Sequence, residues 1–331
     1  MNAHPELGPD PETAFVFTGQ GSQQPRMTVG LYNSSPVYRR YLEQADAALR
    51  PGLDRSVIDF VRNADPLINR TGYAQPVLFA IGYALGATLR DLGVLPGLLL
   101  GHSIGELAAA VLGGGLGLSD AARLVTARAQ GMELLPEGGG MLAVKASEAE
   151  VLELIAAHPL IGTAAVNSRA EVVLSGDADQ LMAIREQLAG HGISATRLRV
   201  SHAFHSPLMA PMLADFGAVA RTVDHPRATT ALVSTVLGRL LSADELSADY
   251  WVRHISATVR FADGVDALMA LGATRIVEIG PRPVLSRLLE PLVQQHGIQV
   301  FNACRGPAGT ADQLAALAAE LTAGRPVAVP A

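Results

Sequence analysis

The strongest constraint in this chain is a strand that passes into a helix with no loop between them. Leu95 to Glu106 reads LPGLLLGHSIGE: an apolar run, Ser103 set between Gly101 and Gly105, and then the helical stretch IGELAAAVLGG, which its glycines end. The turn fits the pattern G-x-S-x-G in the context that pattern requires, a strand before and a helix after. Flanking glycines admit a sharp bend without a Cβ clash, and the bend lifts the Ser103 hydroxyl out of the sheet. The N–H of Ile104 then falls at a helix N-terminus, where negative charge is stabilised. A helix N-cap serine would match the pattern equally well; the strand–turn–helix context selects a nucleophile.

The rest of the chain supplies a sheet for this turn. AFVFTGQGSQ predicts a buried strand, Ala14 to Phe17, ending in a Gly-rich loop. PVYRRYLEQADAALR has helical periodicity, and QPVLFAIGYALGATLRDLG is apolar on most sides, as a buried helix is. Strands alternating with helices predict an α/β core with a parallel sheet. After Glu137 and three glycines the pattern changes. MLAVKA, SEAEVLELIAAH with Ser147 as N-cap, GTAAVNS, AEVVLSGD, ADQLMAIREQLAGHG and ISATRLRV read β-α-β-β-α-β, the ferredoxin-like order. The expected organisation is therefore a flexible tail over 1–13, a catalytic core over 14–138 and 202–318, and a ferredoxin-like subdomain inserted over 139–201.

Composition enters as a filter. Hydrophobic residues make up 49% of 331, enough for a large core, and the net charge of −6 comes without a basic run, which excludes the clustered cations that nucleic acid needs. Cys304 is the one cysteine, so neither an internal disulfide nor a thiolate metal site can form. No segment approaches the ~20 apolar residues of a membrane span. The start, MNAHPELGPDPET, lacks the basic and apolar regions of a signal peptide. A cytoplasmic location is expected.

A serine nucleophile needs a base. Of nine histidines, His4 lies in the tail, and His158, His191, His225 and His296 sit beside polar loop residues. His102 neighbours the nucleophile, and adjacent side chains on a sharp turn point apart. His202, His205 and His254 remain. His205 precedes Ser206-Pro207, an expected N-cap and first helical residue, and a helix N-terminus disfavours imidazolium. His202 and His205 have i, i+3 spacing, but no third ligand stands at a recognisable spacing, so no metal is expected. No Asp is placed as a third triad member, which is compatible with a Ser–His dyad oriented by a backbone carbonyl.

Two further features carry chemistry. In DAARLVTARAQGM, expected to start at an N-cap Ser119, Ala121, Leu124, Val125 and Met132 form one stripe at ~100° per residue, and Arg128 falls inside it, while Arg123 lies opposite with Thr126 and Gln130. A core-facing arginine needs an anionic partner. Spacing leaves two partners open, an internal carboxylate or the carboxylate of a substrate held bidentately. Gly19-Gln-Gly21 follows a strand but has Gln24 where a dinucleotide fingerprint needs its third glycine. A loop carrying a second oxyanion donor fits it better.

Together these pieces resemble the malonyl-CoA:acyl carrier protein transacylase family, which includes the acyltransferases of polyketide synthases. FVFTGQGSQ, TGYAQPVLFA, GHSIGELAAAV, DAARLVTARAQ, AAVNSRAEVVLSGD, HAFHSPLMAPML, YWVRHISATVRFADGV and VEIGPRPVL match in order, from about residue 14 to 305. The resemblance implies an α/β-hydrolase-like core carrying the ferredoxin-like insertion. It implies Ser103 as the acyl-accepting serine, His205 as general base and Arg128 as the carboxylate-binding arginine. It further implies Gln20 and Ile104 as the two oxyanion N–H groups, Gln75 as a site residue, and a backbone carbonyl at His254 orienting the imidazole. His202-Ala-Phe-His205 and Ile104 are similar to the malonyl-selecting pattern, with Phe204 as a wall where an α-methyl would sit. Thr18 departs from the family's usual proline. The implied reaction moves a malonyl unit from coenzyme A to the phosphopantetheine thiol of an acyl carrier protein, in fatty acid or polyketide synthesis. No permanently bound cofactor is expected, and association with polyketide synthase modules is. The chain starts at Met1 without flanking synthase domains, so a free-standing enzyme is the expectation. The rivals are an acyl hydrolase or a carrier-to-carrier transacylase of the same fold handling non-malonyl chains, and a catalytically silent docking partner. Arg128 argues against the first two, and the intact pair Ser103 and His205 against the third.

Overall fold

The computed structural model describes residues 9–323. Among the described residues ten strands form two sheets. The larger has the order β10-β9-β1-β2-β7-β8, from Gln299–Asn302, Arg275–Ile279, Thr13–Phe17, Leu98–Gly101, Ala231–Ser234 and Arg239–Leu240. It is parallel except for β8. β1 and β2 are buried at every position, as central strands covered on both faces are. The helix Thr71–Asp91 is buried along most of its length, in keeping with its near-continuous apolar sequence.

The smaller sheet is antiparallel, in the order β4-β5-β3-β6, from Ile161–Ser168, Glu171–Asp177, Gly139–Val144 and Ala195–Arg197. With the helices Glu148–Ile155 and Ala178–Gly190 it makes the ferredoxin-like subdomain, which has its own core of Leu142, Val144, Val151, Leu174, Ile184 and Leu188 among others. Ser147 caps its first helix in a full capping box with Glu150. The fold is thus α/β, a hydrolase-like sheet bearing a ferredoxin-like unit.

The two units share a seam. The segment after the helix Ala248–Ser256 lies along β4 like a short extra strand: Val166 N–H donates to the Val259 carbonyl (2.9 Å) and Val259 N–H to that of Ala164 (2.8 Å). Thr258 Oγ1 donates to the Thr163 carbonyl (2.7 Å). Arg260 reaches Glu148 at 3.0 Å, and His102 Nε2 lies 3.3 Å from Asn167 Oδ1 on β4.

Three expectations shift. Residues 1–8 of the expected flexible tail lie outside the described residues. Residues 10–13, however, are bonded into the fold: the Asp10 carbonyl accepts from Gly97 N–H (2.7 Å), Arg275 pairs with Asp10 and Glu12, and Thr13 opens β1. The helix bearing Arg128 runs Leu118–Glu133 with Gly117, not Ser119, at its N-cap. The last helix runs past 318 to Thr322.

Candidate active site

The site lies at the carboxyl edge of the parallel sheet, where β2 delivers the elbow. Ser103 takes φ 51°, left-handed for a residue with a Cβ. Its neighbours must be small. A Cβ on Gly105 would stand 2.5 Å from the Phe17 carbonyl, and one on Gly101 would collide with the Glu106 backbone. His205 has φ 54°, so the two expected catalytic residues are half of the four positive-φ residues other than glycine among those described. Strained backbone of this kind persists where the surroundings over-determine it, and it concentrates at functional sites.

The strain brings the pair together across 102 residues: Ser103 Oγ and His205 Nε2 are 2.7 Å apart. His205 Nδ1 lies 2.9 Å from the Ala257 carbonyl. A carbonyl can only accept, so Nδ1 carries the proton and Nε2 is left with its lone pair toward the serine. Burial, and then the Arg128 charge, lower the His205 pKa to about 3. The imidazole is therefore neutral and able to take a proton at ordinary pH.

The orienting carbonyl corrects an expectation. It belongs to Ala257, three residues beyond His254. The helix ends at Ser256, and Ala257 is its extended C-cap (ψ 149°), which turns its carbonyl out of the helical ladder. The His254 ring instead packs on Trp251 and interacts with the Ser103 backbone from behind the elbow. No residue-type signal marks a carbonyl, so this group was not legible in the sequence.

Arg128 lies 2% exposed in the same cluster. Its Nη2 donates to Ser103 Oγ at 2.9 Å, its Nη1 to Gln75 Oε1, and its Nε is buried with no partner among the described residues. Burial alone pulls its pKa down to about 9, with no carboxylate beside it to oppose the shift. The internal ion pair left open by the sequence is absent among the described residues. Gln75 Nε2 donates to Thr71 Oγ1 (2.9 Å), and Thr71 Oγ1 to Gln20 Oε1 (3.0 Å). One chain of hydrogen bonds so runs from the Gly-rich loop to the serine. Thr71 was not singled out from sequence, although it stands one helical turn before Gln75.

The Gly-rich loop is held from two sides. Ser22 Oγ donates to the Gly19 carbonyl (2.9 Å) and lies 3.1 Å from Thr18 Oγ1. Arg282 donates to the carbonyls of Gly21 (2.7 Å) and Ser22 (3.1 Å). Fixing the Gly19 carbonyl also fixes the Gln20 N–H on the other side of the same planar peptide. Neither that N–H nor the Ile104 N–H has a hydrogen-bond acceptor among the described residues.

His202 is placed differently. Its two ring nitrogens meet the Leu135 carbonyl (3.1 Å) and Ser201 Oγ (2.9 Å), which ties the segment before His205 to the end of the Arg128 helix. Phe204 is buried, with its ring 6.2 Å from that of His202. Glu106, a lone acid in an apolar helix, is fully buried behind the elbow. It accepts from Thr235 N–H and from the Thr235 and Tyr250 hydroxyls, and burial raises its pKa to about 7. It does not touch Ser103 Oγ, so it belongs to the elbow's support.

A serine paired with a neutral histidine that a carbonyl holds, on a strained elbow at a sheet's carboxyl edge, defines an enzyme that takes acyl groups onto a serine. The chain belongs to the acyl transferase domain family, which matches residues 14–310. It is 43% identical over 283 residues to polyketide synthase GfsA of Streptomyces halstedii, a match covering 83% of this chain and 4% of that one. It is 42% identical over 295 residues to the mycoketide-CoA synthase of Mycobacterium tuberculosis, covering 89% and 7%. The chain spans less than a fifth of the length of these and other curated relatives, between 4% and 17%. Among solved structures, the acyltransferase domain from the second module of the salinomycin polyketide synthase superposes with TM-score 0.89 at 40% identity, covering 96% of this chain and 74% of that one. The malonyl-CoA:acyl carrier protein transacylase of Xanthomonas oryzae pv. oryzae superposes with TM-score 0.84 at 30% identity, covering 94% and 98%.

Proposed function

We propose that this acyltransferase loads a malonyl unit from coenzyme A onto Ser103 and passes it to the phosphopantetheine thiol of an acyl carrier protein. The observation that carries the choice of acyl group is Arg128, a buried guanidinium with no carboxylate beside it and its Nε without a partner among the described residues. A buried cation without a counter-ion is costly unless an anion arrives with the substrate, and a malonyl unit brings a carboxylate to that point.

In the first half-reaction His205 Nε2 takes the Ser103 proton as Oγ attacks the thioester carbon. Arg128 already donates to Oγ, which leaves the hydroxyl hydrogen directed at His205. The N–H groups of Gln20 and Ile104 receive the oxyanion. The carbon–sulfur bond breaks, and the His205 proton goes to the departing coenzyme A thiolate. The ester on Ser103 keeps its carboxylate on Arg128. In the second half-reaction His205 takes the proton of the carrier's thiol, the sulfur attacks the ester, and Ser103 regains its proton. Phe204, held by the anchored His202 segment, narrows the space beside the α-carbon; one methyl is worth ~1–3 kcal/mol in such a pocket, so selection against methylmalonyl is graded.

Intact-protein mass after exposure to malonyl-, methylmalonyl- and acetyl-CoA tests the assignment. Malonyl mass is expected on the native chain and none on Ser103→Ala. Arg128→Ala is expected to cut malonyl loading on the order of 10- to 100-fold more than acetyl loading, the worth of a charge-assisted contact. Equal losses would return Arg128 to a structural role.

A further inference from the structure

The acid behind the elbow is bonded to two other parts of the fold. Glu106 is fully buried and stands in the first turn of the helix Gly105–Leu112. Its backbone N–H donates to the Ser103 carbonyl (2.8 Å), which ties it to the nucleophile's own backbone. Its Oε2 accepts from Thr235 N–H (3.0 Å) and Thr235 Oγ1 (2.5 Å), just past β7. Its Oε1 accepts from the Tyr250 hydroxyl. The direction of this last bond follows from its neighbours. Ser234 Oγ, 2.6 Å from the Tyr250 oxygen, already accepts from Val236 N–H (3.1 Å) and Leu237 N–H (3.0 Å). A hydroxyl has two acceptor positions and one hydrogen. The Ser234 hydrogen therefore goes to Tyr250, and the Tyr250 hydrogen to Glu106.

Tyr250 lies on the helix Ala248–Ser256, and the group that orients the base ends the same helix. Tyr250, His254 and Ala257 recur at i, i+4 and i+7, one helical face. Tyr250 meets Glu106, the His254 ring meets the Ser103 backbone, and the Ala257 carbonyl meets His205 Nδ1 at 2.9 Å. This face follows the back of the elbow from the acid to the base, over roughly 10 Å at ~1.5 Å per residue. Trp251 and Ile255 bury the helix by apolar contact. Apolar contact is non-directional and tolerates a helix that slides or turns. A charge-assisted hydrogen bond to a fixed carboxylate does not.

We infer that Glu106 is a positioning residue for the base as well as for the serine: through the Tyr250 hydroxyl it sets the register of the helix Ala248–Ser256, and with it the place of the Ala257 carbonyl that holds His205. The nucleophile's helix and the base's acceptor are thereby clamped to each other, which keeps Ser103 Oγ and His205 Nε2 at 2.7 Å. The inference rests on the Ser103–His205 pair and not on the identity of the acyl group.

The test compares Tyr250→Phe, Glu106→Gln and Thr235→Val in the full chain. The first deletes the donor of the clamp. The second puts an amide nitrogen, which cannot accept, among the donors around Glu106. The third removes a donor on the β7 side and leaves the Tyr250 bond in place. Two readouts are used: single-turnover acylation of Ser103 by malonyl-CoA, and the proton resonance of His205 Nδ1–H, assigned by its absence from His205→Ala. Tyr250→Phe and Glu106→Gln are expected to lower the saturating acylation rate on the order of tenfold, with the half-saturating concentration unchanged. Both should shift the Nδ1–H resonance upfield as its bond to Ala257 lengthens. Their double variant should lose no more rate than the worse single one, because both remove the same link. Thr235→Val should lower the urea midpoint and keep the native rate and resonance. Should Tyr250→Phe not fold, Glu106→Gln against Thr235→Val still makes the comparison. Native rate and resonance in Tyr250→Phe or Glu106→Gln, at a lowered urea midpoint, would overturn the inference and leave Glu106 as a support of the elbow alone. So would an equal loss of rate in Thr235→Val, or additive losses in the double variant. The resonance needs no substrate, so failure of the native chain to take up malonyl would overturn the function proposed above and leave this test standing.

Discussion

Arg128 and His205 are both buried beside Ser103, and burial lowers the pKa of each, so the two titrate toward opposite ends of the working pH range. The Arg128 charge is lost as pH rises through about 9. Malonyl loading is therefore expected to decline above that point while acetyl loading, which needs no cation, does not; stopped-time acylation of Ser103 across pH 7 to 10 checks it, with roughly tenfold loss per unit beyond the midpoint. His205 stays neutral well below the ordinary histidine value of 6.5, to about 3. The base consequently remains able to accept a proton through mildly acidic pH. Stability moves the other way. The unfolded imidazole takes up a proton near 6.5 and the buried one does not, so the unfolded state is favoured progressively as pH falls from 6.5 toward 3.

The elbow is a contact between elements. It packs the start of the helix Gly105–Leu112 against the end of β1, backbone to backbone, with no side chain between them. Gly105→Ala would place its methyl 2.5 Å from the Phe17 carbonyl and 2.8 Å from that of Thr18. It is expected to destabilise the fold by about 1–3 kcal/mol, the usual cost of overpacking. It should also cut Ser103 loading, because the atoms it displaces carry the Gly-rich loop. Gly190, at the end of the helix Ala178–Gly190, has nothing within 4 Å of an added Cβ. Gly190→Ala should leave stability within about 1 kcal/mol of native, and urea unfolding of the two variants makes the comparison.

Across the whole molecule, the ferredoxin-like unit is more than an appendage. The Ala257 carbonyl that orients His205 opens the 257–260 segment, and that segment is pinned to β4 of the small sheet by two backbone hydrogen bonds and the Thr258 hydroxyl. The catalytic base is thus aligned from across the seam. Thr258→Val should remove one of these bonds for about 1 kcal/mol of stability. It should lower kcat severalfold with KM unchanged, and Thr258→Ser should restore kcat. A loss of stability with kcat intact would mean that the seam holds the two units together without setting the histidine.

Groups whose chemistry lies in the side chain, and features that repeat at a fixed period, were legible in the residues alone. The strand–Ser103–helix turn, the core-facing position of Arg128, the narrowing of the base to His202, His205 and His254, and the β-α-β-β-α-β order follow from glycine placement, apolar spacing and residue type, which are local; His205 was singled out by the resemblance to the transacylase family. The carboxylate-free surroundings of Arg128, the Ala257 carbonyl, the anchoring of His202 and the Thr71 link between Gln75 and Gln20 were decided only by the tertiary structure. Each depends on which segments meet in space, and a backbone acceptor is the same in every residue until the fold turns one of them toward an imidazole.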